Sequence, residues 1–448
     1  MDFTPYPPVM RATLSSDAAG EMRYTQFRAS KIIRRVREVS VTEQKYFRKG
    51  FKMREEVQHL LDRDYRSETV NRVRENGNLL EADGLTVHLA DEFGFCYGVD
   101  RAVDYAFQTR EKFPDRRIFI TGDMIHNASM NDRLREMGIE FLSTGFDGPS
   151  EEAFDRLVPD DVVLLPAFGA PIDWVEKLRQ KECVVVDTTC GSVLSVWKRV
   201  TRYAQKDFTS IIHGKYYHEE TKATASQTFR DGGNGKYLIV RNLTETGYLT
   251  DFILGRMDAG ELREKLGHGM GPGFDPEEDL HRVGVANQTT MLMSETMAVG
   301  EELRKAMAER YGAENVVEHF ELFDTICSAT QDRQDALFEL LENPLDMMIV
   351  IGGYNSSNTN NLAIISAERV PKSYHIASGD GIHGDAIRHK PAGTPLDARE
   401  EVEERGWLPE GPVRLGLTAG ASTPNSQIGL AIGRILEARG LPPEIALS

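Results

Sequence analysis

Three cysteines, Cys96, Cys190 and Cys327, hold equivalent places along the sequence. Each follows an apolar run typical of a β-strand and precedes a pattern typical of a helix, as where CVVVDTTC leads into GSVLSVWKRV. At a helix N-terminus the macrodipole and the free backbone N–H groups favour the thiolate, the form of cysteine that binds metals. The separations are long, 94 residues (190 − 96) and 137 residues (327 − 190). These cysteines can therefore form one metal centre only if separate α/β units converge.

Three widely spaced thiolates favour an iron–sulfur cluster over a structural zinc site. A structural zinc site closes with four ligands, often in paired C-x₂₋₄-C spacing, which is absent here. Iron–sulfur clusters usually have four cysteine ligands, so three would leave one iron open as a Lewis acid. The alternative is that the three are unrelated core residues or isolated redox thiols. The fourth cysteine, Cys183 in ECVVVD, is predicted to be a buried strand residue without a chemical role.

Polar residues follow further predicted strands, where they could bind an anion or move protons. Backbone N–H groups and hydroxyls at a helix start bind phosphate, histidines add donors or positive charge, and a carboxyl group can carry protons. Each residue also has a structural alternative, because Ser, Asn and Glu are common at helix starts. The candidates are His126, His218, Glu220, Thr289, Ser356, Ser357, Asn358 and Ser422.

The elements that must position these residues read as three copies of one α/β design. From residue 85 onward, short apolar runs alternate with helical patterns, which predicts parallel sheets whose carboxyl ends bind the ligand. In the N-terminal extension, KIIRRVREVS, VQHLLDRDY and SETVNRVREN are predicted to be helical, and two charged, glycine-rich insertions are predicted to be surface elaborations. The expected divisions are an extension at 1–84, domains at 85–187, 188–324 and 325–448, and insertions at about 243–282 and 379–411.

Composition excludes some classes of function. The chain has 448 residues, 40% of them hydrophobic, which is enough for a large core. Its net charge of −17 argues against nucleic-acid binding, because phosphate backbones are met by basic surfaces. No apolar stretch approaches the roughly 20 residues that span a bilayer, and the first residues do not resemble a secretory signal. No membrane partner and a cytoplasmic location are expected.

Eight motifs, taken in order, resemble the LytB family of 4-hydroxy-3-methylbut-2-enyl diphosphate reductases, over about residues 44 to 433. The motifs are FGFCYGVDRAV, MIHNASMNDRL, VVDTTCGSV, HGKYYHEETKATAS, NQTTM, FDTICSATQDRQDA, GGYNSSNTNNL and TAGASTP. The resemblance implies a trefoil of three pseudo-threefold-related α/β domains around a central iron–sulfur cluster. It also implies reductive removal of the hydroxyl group from an allylic diphosphate, which gives isopentenyl and dimethylallyl diphosphates in the last step of the methylerythritol phosphate pathway.

The resemblance also assigns roles to individual residues. Cys96, Cys190 and Cys327 would hold one [4Fe–4S] cluster with one open iron, and an external donor, reduced ferredoxin or flavodoxin, would supply electrons. Glu220 would deliver protons, and Thr289 would lie near the substrate hydroxyl. The residues implied to grip the diphosphate are His126, His218, Ser356, Ser357, Asn358 and Ser422.

Two positions depart from the family pattern. Phe168 stands where many bacterial members have a histidine, so that diphosphate contact is missing, and Gly191 stands where proline is usual. Phe168, the long extension and the stretch KYFRKGFKMREEVQHLLDRDY resemble the plant and cyanobacterial branch. Two alternatives remain: another three-cysteine cluster enzyme, such as a quinolinate synthase, and a cluster-binding redox sensor without turnover. The NSSN and His-x-Glu motifs argue against the first.

Overall fold

The computed structural model describes residues 45–322, 327–396, 398 and 400–447. Strands and helices alternate along most of this length. The strands are β1 (Tyr46–Phe47), β2 (Leu79–Ala82), β3 (Leu85–Leu89), β4 (Ile118–Ile120), β5 (Ile139–Phe141), β6 (Val162–Leu165), β7 (Val184–Asp187), β8 (Thr209–His213), β9 (Tyr237–Val240), β10 (Val283–Asn287), β11 (Phe320–Leu322), β12 (Met347–Ile351), β13 (Ser373–Ile376), β14 (Ile382–His383), β15 (Ala386–His389), β16 (Val402–Arg405) and β17 (Val413–Ala419).

Most helices connect the strands of one sheet. The α-helices are α1 (Arg54–Tyr65), α2 (Glu68–Glu75), α3 (Tyr97–Lys112), α4 (Ala128–Glu136), α5 (Glu151–Asp155), α6 (Ile172–Gln180), α7 (Gly191–Gln205), α8 (Glu219–Ser226), α9 (Leu243–Ile253), α10 (Ala259–Leu266), α11 (Pro276–Asp279), α12 (Met293–Tyr311), α13 (Val316–His319), α14 (Ser328–Leu340), α15 (Ser357–Arg369) and α16 (Asn425–Ala438). Within the described ranges, no helix combines the length and apolar character needed to cross a membrane.

Three sheets repeat one strand order. The first sheet runs β1-β7-β6-β4-β5, the second β11-β10-β8-β9, and the third β13-β12-β17-β3-β2. All neighbouring strands in these sheets are parallel except β2 and β3. The strands of each sheet can be numbered in chain order after its cysteine, with β3 as the fourth strand of the third sheet and the edge strands β1 and β2 left out. Each order is then 4-3-1-2, with the third sheet read from its β2 edge. The predicted α/β class with parallel sheets is confirmed, and the repeat is visible in its topology.

Each cysteine lies where the chain crosses from one sheet to the next. Cys190 follows β7 of the first sheet and precedes α7, whose Val196 and Val200 pack with Ala286 of the second sheet. Cys327 lies between β11 of the second sheet and α14, which packs on the third. Cys96 lies between β3 of the third sheet and α3, which packs on the first. These crossings explain how cysteines far apart in sequence occupy equivalent places.

The first predicted domain boundary differs from the sheet topology. The expected domain at 85–187 begins with β3, yet β3 pairs with β17 in the third sheet. The alternating pattern of LTVHL predicts a strand but does not specify its partner. The described residues from Tyr46 onward form one compact unit, so the division into three domains stays a prediction.

Much of the predicted N-terminal extension belongs to the core of the molecule. Helices α1 and α2 confirm two of the three helical predictions, whereas KIIRRVREVS lies outside the described residues. Val70 and Val73 of α2 are buried in the core of the third sheet, and β1 and β2 extend the first and third sheets. These residues are therefore structural parts of the α/β fold.

The two insertions are more than surface elaborations, so that expectation is wrong. In the first, Leu249 and Ile253 of α9 and Leu262 of α10 are buried because these helices cover the second sheet between β9 and β10. In the second, β14, β15 and β16 form a small antiparallel sheet, and Trp407 is fully buried. The charged residues that suggested surface loops belong to helices and strands that also carry buried apolar residues.

Candidate active site

All three predicted cysteine ligands are helix N-caps. Cys96 precedes α3, and its Sγ accepts the backbone N–H of Val99 at 3.5 Å. Cys327 precedes α14 and accepts the N–H of Thr330 at 3.3 Å, while Cys190 precedes α7. All three side chains are half-buried. The predicted position at helix starts is confirmed.

Two of these cysteines face each other across Gly98. A Cβ atom on this glycine would lie 2.9 Å from Cβ of Cys190, 3.3 Å from its Sγ and 3.9 Å from Sγ of Cys96. Cys96 also acts electrostatically on Cys327, so the three thiols share one environment. In the described part of the chain they do not form a group with all sulfur atoms within 4.8 Å of one another. A single zinc ion needs sulfurs about 3.8 Å apart, which this arrangement does not provide for all three cysteines.

Burial opposes the thiolate at two of these positions. It raises the pKa of Cys190, and it raises the pKa of Cys327 to about 11, with smaller contributions from Cys96 and Glu220. At both positions desolvation outweighs the hydrogen bonds that the helix start donates to the sulfur. A bound cation would favour the thiolate at either position.

Glu220 lies beside the cysteines with a defined hydrogen bond. It is in the first turn of α8, is 3% exposed, and its Oε1 accepts the backbone N–H of Thr289 at 2.6 Å. Burial raises the pKa of Glu220 to about 7, although the hydrogen bonds from Thr289 oppose the rise. A carboxyl group that titrates near neutrality can give up and regain a proton during a reaction. We call this region, with the three cysteines, Glu220 and Thr289, the cysteine end of the site.

The two predicted histidines meet at the N-terminus of α8, where His218 is the N-cap. Their Nε2 atoms are 3.2 Å apart. Nδ1 of His218 accepts the N–H of Glu220 at 3.2 Å, and Nδ1 of His126 lies 3.1 Å from the amide nitrogen of Asn355, which can only donate. Both protons are then on Nε2, so two N–H groups face the same space. Such a pair of buried donors requires an acceptor, and an anion supplies one.

The serine and asparagine candidates join these histidines. Ser422 Oγ donates to the carbonyl oxygen of His126 at 3.2 Å, and Ser356 is the N-cap of α15. Oδ1 of Asn358 accepts the N–H of Ala421 at 2.9 Å, while its buried Nδ2 has no hydrogen-bond partner in the described part of the chain. This unused donor fits an anion at the start of α15.

Sequence reasoning missed Lys215, which adds positive charge to this group. Its Nζ donates to Ser357 Oγ at 3.2 Å, and Gln288 Nε2 donates to the same oxygen at 3.1 Å. Burial lowers the pKa of Lys215 to about 8, which leaves most of the group charged at neutral pH. The signal was present in HGKYYHEE, where the lysine follows β8 by two residues. We call the region with His126, His218, Lys215 and the α15 start the histidine end of the site.

Aromatic rings enclose the histidine end. Phe168 stacks on His126 with ring centroids 4.8 Å apart and an interplanar angle of 12°, and Phe146 lies 5.8 Å from His126 and 5.6 Å from His218. Burial lowers the pKa of His126 to about 4 and that of His218 well below its usual range, and Lys215 adds to both effects. Both imidazoles are therefore neutral donors at physiological pH.

Cys183 lies apart from the site. It is 2% exposed immediately before β7 and packs with Phe119, Leu178 and Val185. Its predicted burial is confirmed, and its lack of a chemical role stays a prediction.

Known proteins match this chain along most of its length. A family model described as LytB protein matches residues 87–436. The 4-hydroxy-3-methylbut-2-enyl diphosphate reductase of Cyanothece sp. is 45% identical over 401 residues, which cover 89% of this chain and 96% of that protein. The enzyme of the same name from Gloeobacter violaceus is 47% identical over 401 residues, 88% of this chain and 93% of that protein.

A solved structure shares the fold. The E-1-hydroxy-2-methyl-but-2-enyl-4-diphosphate reductase from Plasmodium falciparum superposes with a TM-score of 0.54 at 20% identity, covering 77% of this chain and 86% of that chain. At this identity the likeness supports the α/β fold alone. The family model and the cyanobacterial relatives, however, span the cysteines and both ends of the site, and the chain belongs to the LytB family.

Proposed function

We propose that the chain reduces (E)-4-hydroxy-3-methylbut-2-enyl diphosphate to isopentenyl and dimethylallyl diphosphates. The reaction consumes two electrons and two protons and releases the hydroxyl group as water. The observation that carries the proposal is the two-ended site, with three N-cap cysteines and a buried carboxyl group at one end and anion donors at the other.

Cys96, Cys190 and Cys327 would hold one [4Fe–4S] cluster. Their helix-start positions and the absence of a side chain at Gly98, between Cys190 and Cys96, support this assignment. When bound through three cysteines, such a cluster supplies electrons and one open, Lewis-acidic iron. Reduced ferredoxin or flavodoxin is the proposed external electron donor.

The substrate diphosphate would lie at the histidine end. Nδ2 of Asn358 is a buried donor without a hydrogen-bond partner in the described ranges, and the Nε2 atoms of His126 and His218 face the same region. Ser356, Ser357 and Ser422 line the same region, and Lys215 supplies charge. Anchoring the diphosphate here directs the opposite end of the substrate, with its hydroxyl group, toward the cysteine end.

Glu220 would deliver protons at the cysteine end. Its protonated form is well populated at neutral pH, and the N–H of Thr289 can stabilise the carboxylate that remains after a proton leaves. Thr289 itself lies two residues after β10, where it can contact the substrate hydroxyl. Together the two residues would hold and orient a reacting proton.

The test begins with anaerobic purification and a count of iron and sulfide per chain. The substrate is then titrated in while the iron is followed spectroscopically, and products are measured with reduced ferredoxin. We expect four irons, a spectrum perturbed by substrate, and both product diphosphates. A reconstituted cluster indifferent to the substrate would favour a sensor or a different cluster enzyme, and failure to bind iron would reject the proposal.

A further inference from the structure

Glu219 is a buried carboxyl group with no hydrogen bond to another residue in the described part of the chain. It is 7% exposed, and neither Oε1 nor Oε2 has a hydrogen-bond partner among the described residues. Its Oε2 lies 3.8 Å from Nε2 of His126 and 3.9 Å from Nδ1 of His218. Leaving a buried carboxyl group unsatisfied costs free energy, so a group in this position points to a ligand.

A metal ion is one ligand that such a cluster could take. The ligand atoms of His126, His218 and Glu219 all lie within 4.8 Å of one another. However, both histidines accept hydrogen bonds at Nδ1, which leaves Nε2 protonated and without a lone pair for a metal. The cluster is therefore arranged to donate to an anion.

We propose that Glu219 is a further contact to the substrate diphosphate, donating a hydrogen bond from its protonated carboxyl group to an oxygen held by the two histidines. This inference rests on the proposed function. It also accounts for the missing histidine at position 168, because Phe168 stacks on His126 and Glu219 approaches the same imidazole. One hydrogen-bond donor replaces another in the same part of the site.

The charges around Glu219 are consistent with a neutral acid. Burial raises the pKa of Glu219 to about 8, Asp123 and Glu220 add to the rise, and its own backbone N–H and Lys222 oppose it. His126 and His218 face the carboxyl group as neutral rings. A bound diphosphate, being an anion, disfavours the carboxylate further. The group is therefore a donor below about pH 8 and repels the ligand when ionised above it.

The experiment measures the dissociation constant of the substrate on the cluster-loaded, oxidised enzyme between pH 6.5 and 9.5. Glu219→Ala should weaken binding about 10- to 100-fold at pH 7, since a hydrogen bond to a charged group is lost. Glu219→Gln keeps an N–H donor and should stay within about threefold. The double variant Phe168→His/Glu219→Ala should bind the substrate about tenfold more tightly than Glu219→Ala alone. Glu68→Ala removes a glutamate from the same position of another eight-residue helix, α2, and should leave affinity unchanged.

The pH profile separates a direct contact from a structural role. Lys215 also titrates near pH 8, so binding to every variant should weaken at high pH. The native enzyme should weaken more than Glu219→Gln, because only the native residue gains a negative charge. The inference would be overturned if the native enzyme and Glu219→Gln had equal pH profiles. It would also be overturned if Glu219→Ala bound the substrate within twofold of the native enzyme. If the native enzyme itself does not bind the substrate, it is the proposed function that has failed.

Discussion

Glu219 and Glu220 are neighbours in sequence, yet they serve opposite ends of the site. Both begin α8, both are buried, and burial raises the pKa of both. Glu220 receives a backbone N–H from Thr289 and lies near the cysteines, whereas Glu219 has no such donor and faces the histidines. The comparison teaches that the role of a carboxyl group depends on the partner that tertiary structure brings to it. Changes at the cysteine end should therefore affect redox chemistry, and changes at the histidine end should affect affinity.

The largest expected effect is the loss of the cluster. Replacing any one of Cys96, Cys190 or Cys327 by serine should reduce iron per chain to near background, because a hydroxyl group is a poor ligand for iron in a cluster. Cys183→Ser is the matched control, since Cys183 is buried away from the site, and it should keep the native iron content. Iron and sulfide analysis after anaerobic reconstitution measures both. Full iron in a variant of one proposed ligand would remove that cysteine from the set.

The next effect separates the two glutamates. Glu220→Gln removes a proton carrier and should lower kcat by about 10²- to 10⁴-fold while substrate affinity stays within about threefold. Glu219→Gln should show no comparable loss of kcat. Single-turnover reduction and equilibrium titration give the two quantities. A Glu220→Gln enzyme with native kcat, or one that lost affinity instead, would break the division between the ends.

A smaller effect should follow from crowding the cysteine end. In Gly98→Ala the new Cβ would lie 2.9 Å from Cβ of Cys190, so Cys190 must move and iron content should fall severalfold. Gly191→Ala is the control, because a Cβ at this first residue of α7 meets nothing within 4 Å. Iron content and the cluster spectrum report the difference. Equal iron content in the two variants would show that this contact does not constrain the centre.

The smallest effect concerns stability against pH. Because the pKa of Glu219 rises from its ordinary value near 4.5 to about 8 on folding, the folded state binds this proton more tightly than the unfolded state. The resulting stabilisation is complete below about pH 4.5 and is lost as pH rises through 8. Glu219→Gln avoids this loss, so its Tm relative to the native enzyme should rise by a few degrees between pH 5 and 9. Glu220→Gln should show a smaller rise, and anaerobic thermal unfolding compares the two. A flat difference for Glu219→Gln would indicate that this carboxyl group is already ionised in the folded enzyme.

The cysteine end was more predictable from sequence than the histidine end. A strand followed by a cysteine and a helical pattern is a local signal, so the N-cap positions of Cys96, Cys190 and Cys327 could be read directly. Lys215 and Glu219 gave no comparable signal, because a lysine after a strand and a glutamate at a helix start are ordinary surface residues. Their burial depends on three sheets meeting, which no local pattern encodes.

The same limit applies to the fold. The strand runs were recognisable by their apolar character, and the threefold repeat of the α/β units followed from them, whereas the strand order is known only from the structure. The partner of β3 was not recognisable, because register and pairing depend on contacts far along the chain. The insertions were misread for a related reason: the buried side of α9 and α10 became evident only once the second sheet was in place.

The pairing of β3 with β17 also sets the order of events during synthesis. These strands begin 328 residues apart (413 − 85), so at roughly 5 to 20 residues per second the ribosome makes the second tens of seconds after the first. Until then the third sheet lacks β17, and the loop from β3 to Cys96 has no completed sheet to hold it. The first two sheets can form while the chain is still growing. Closure of the third, and with it the arrangement of all three cysteines, is therefore a late step that follows synthesis of β17.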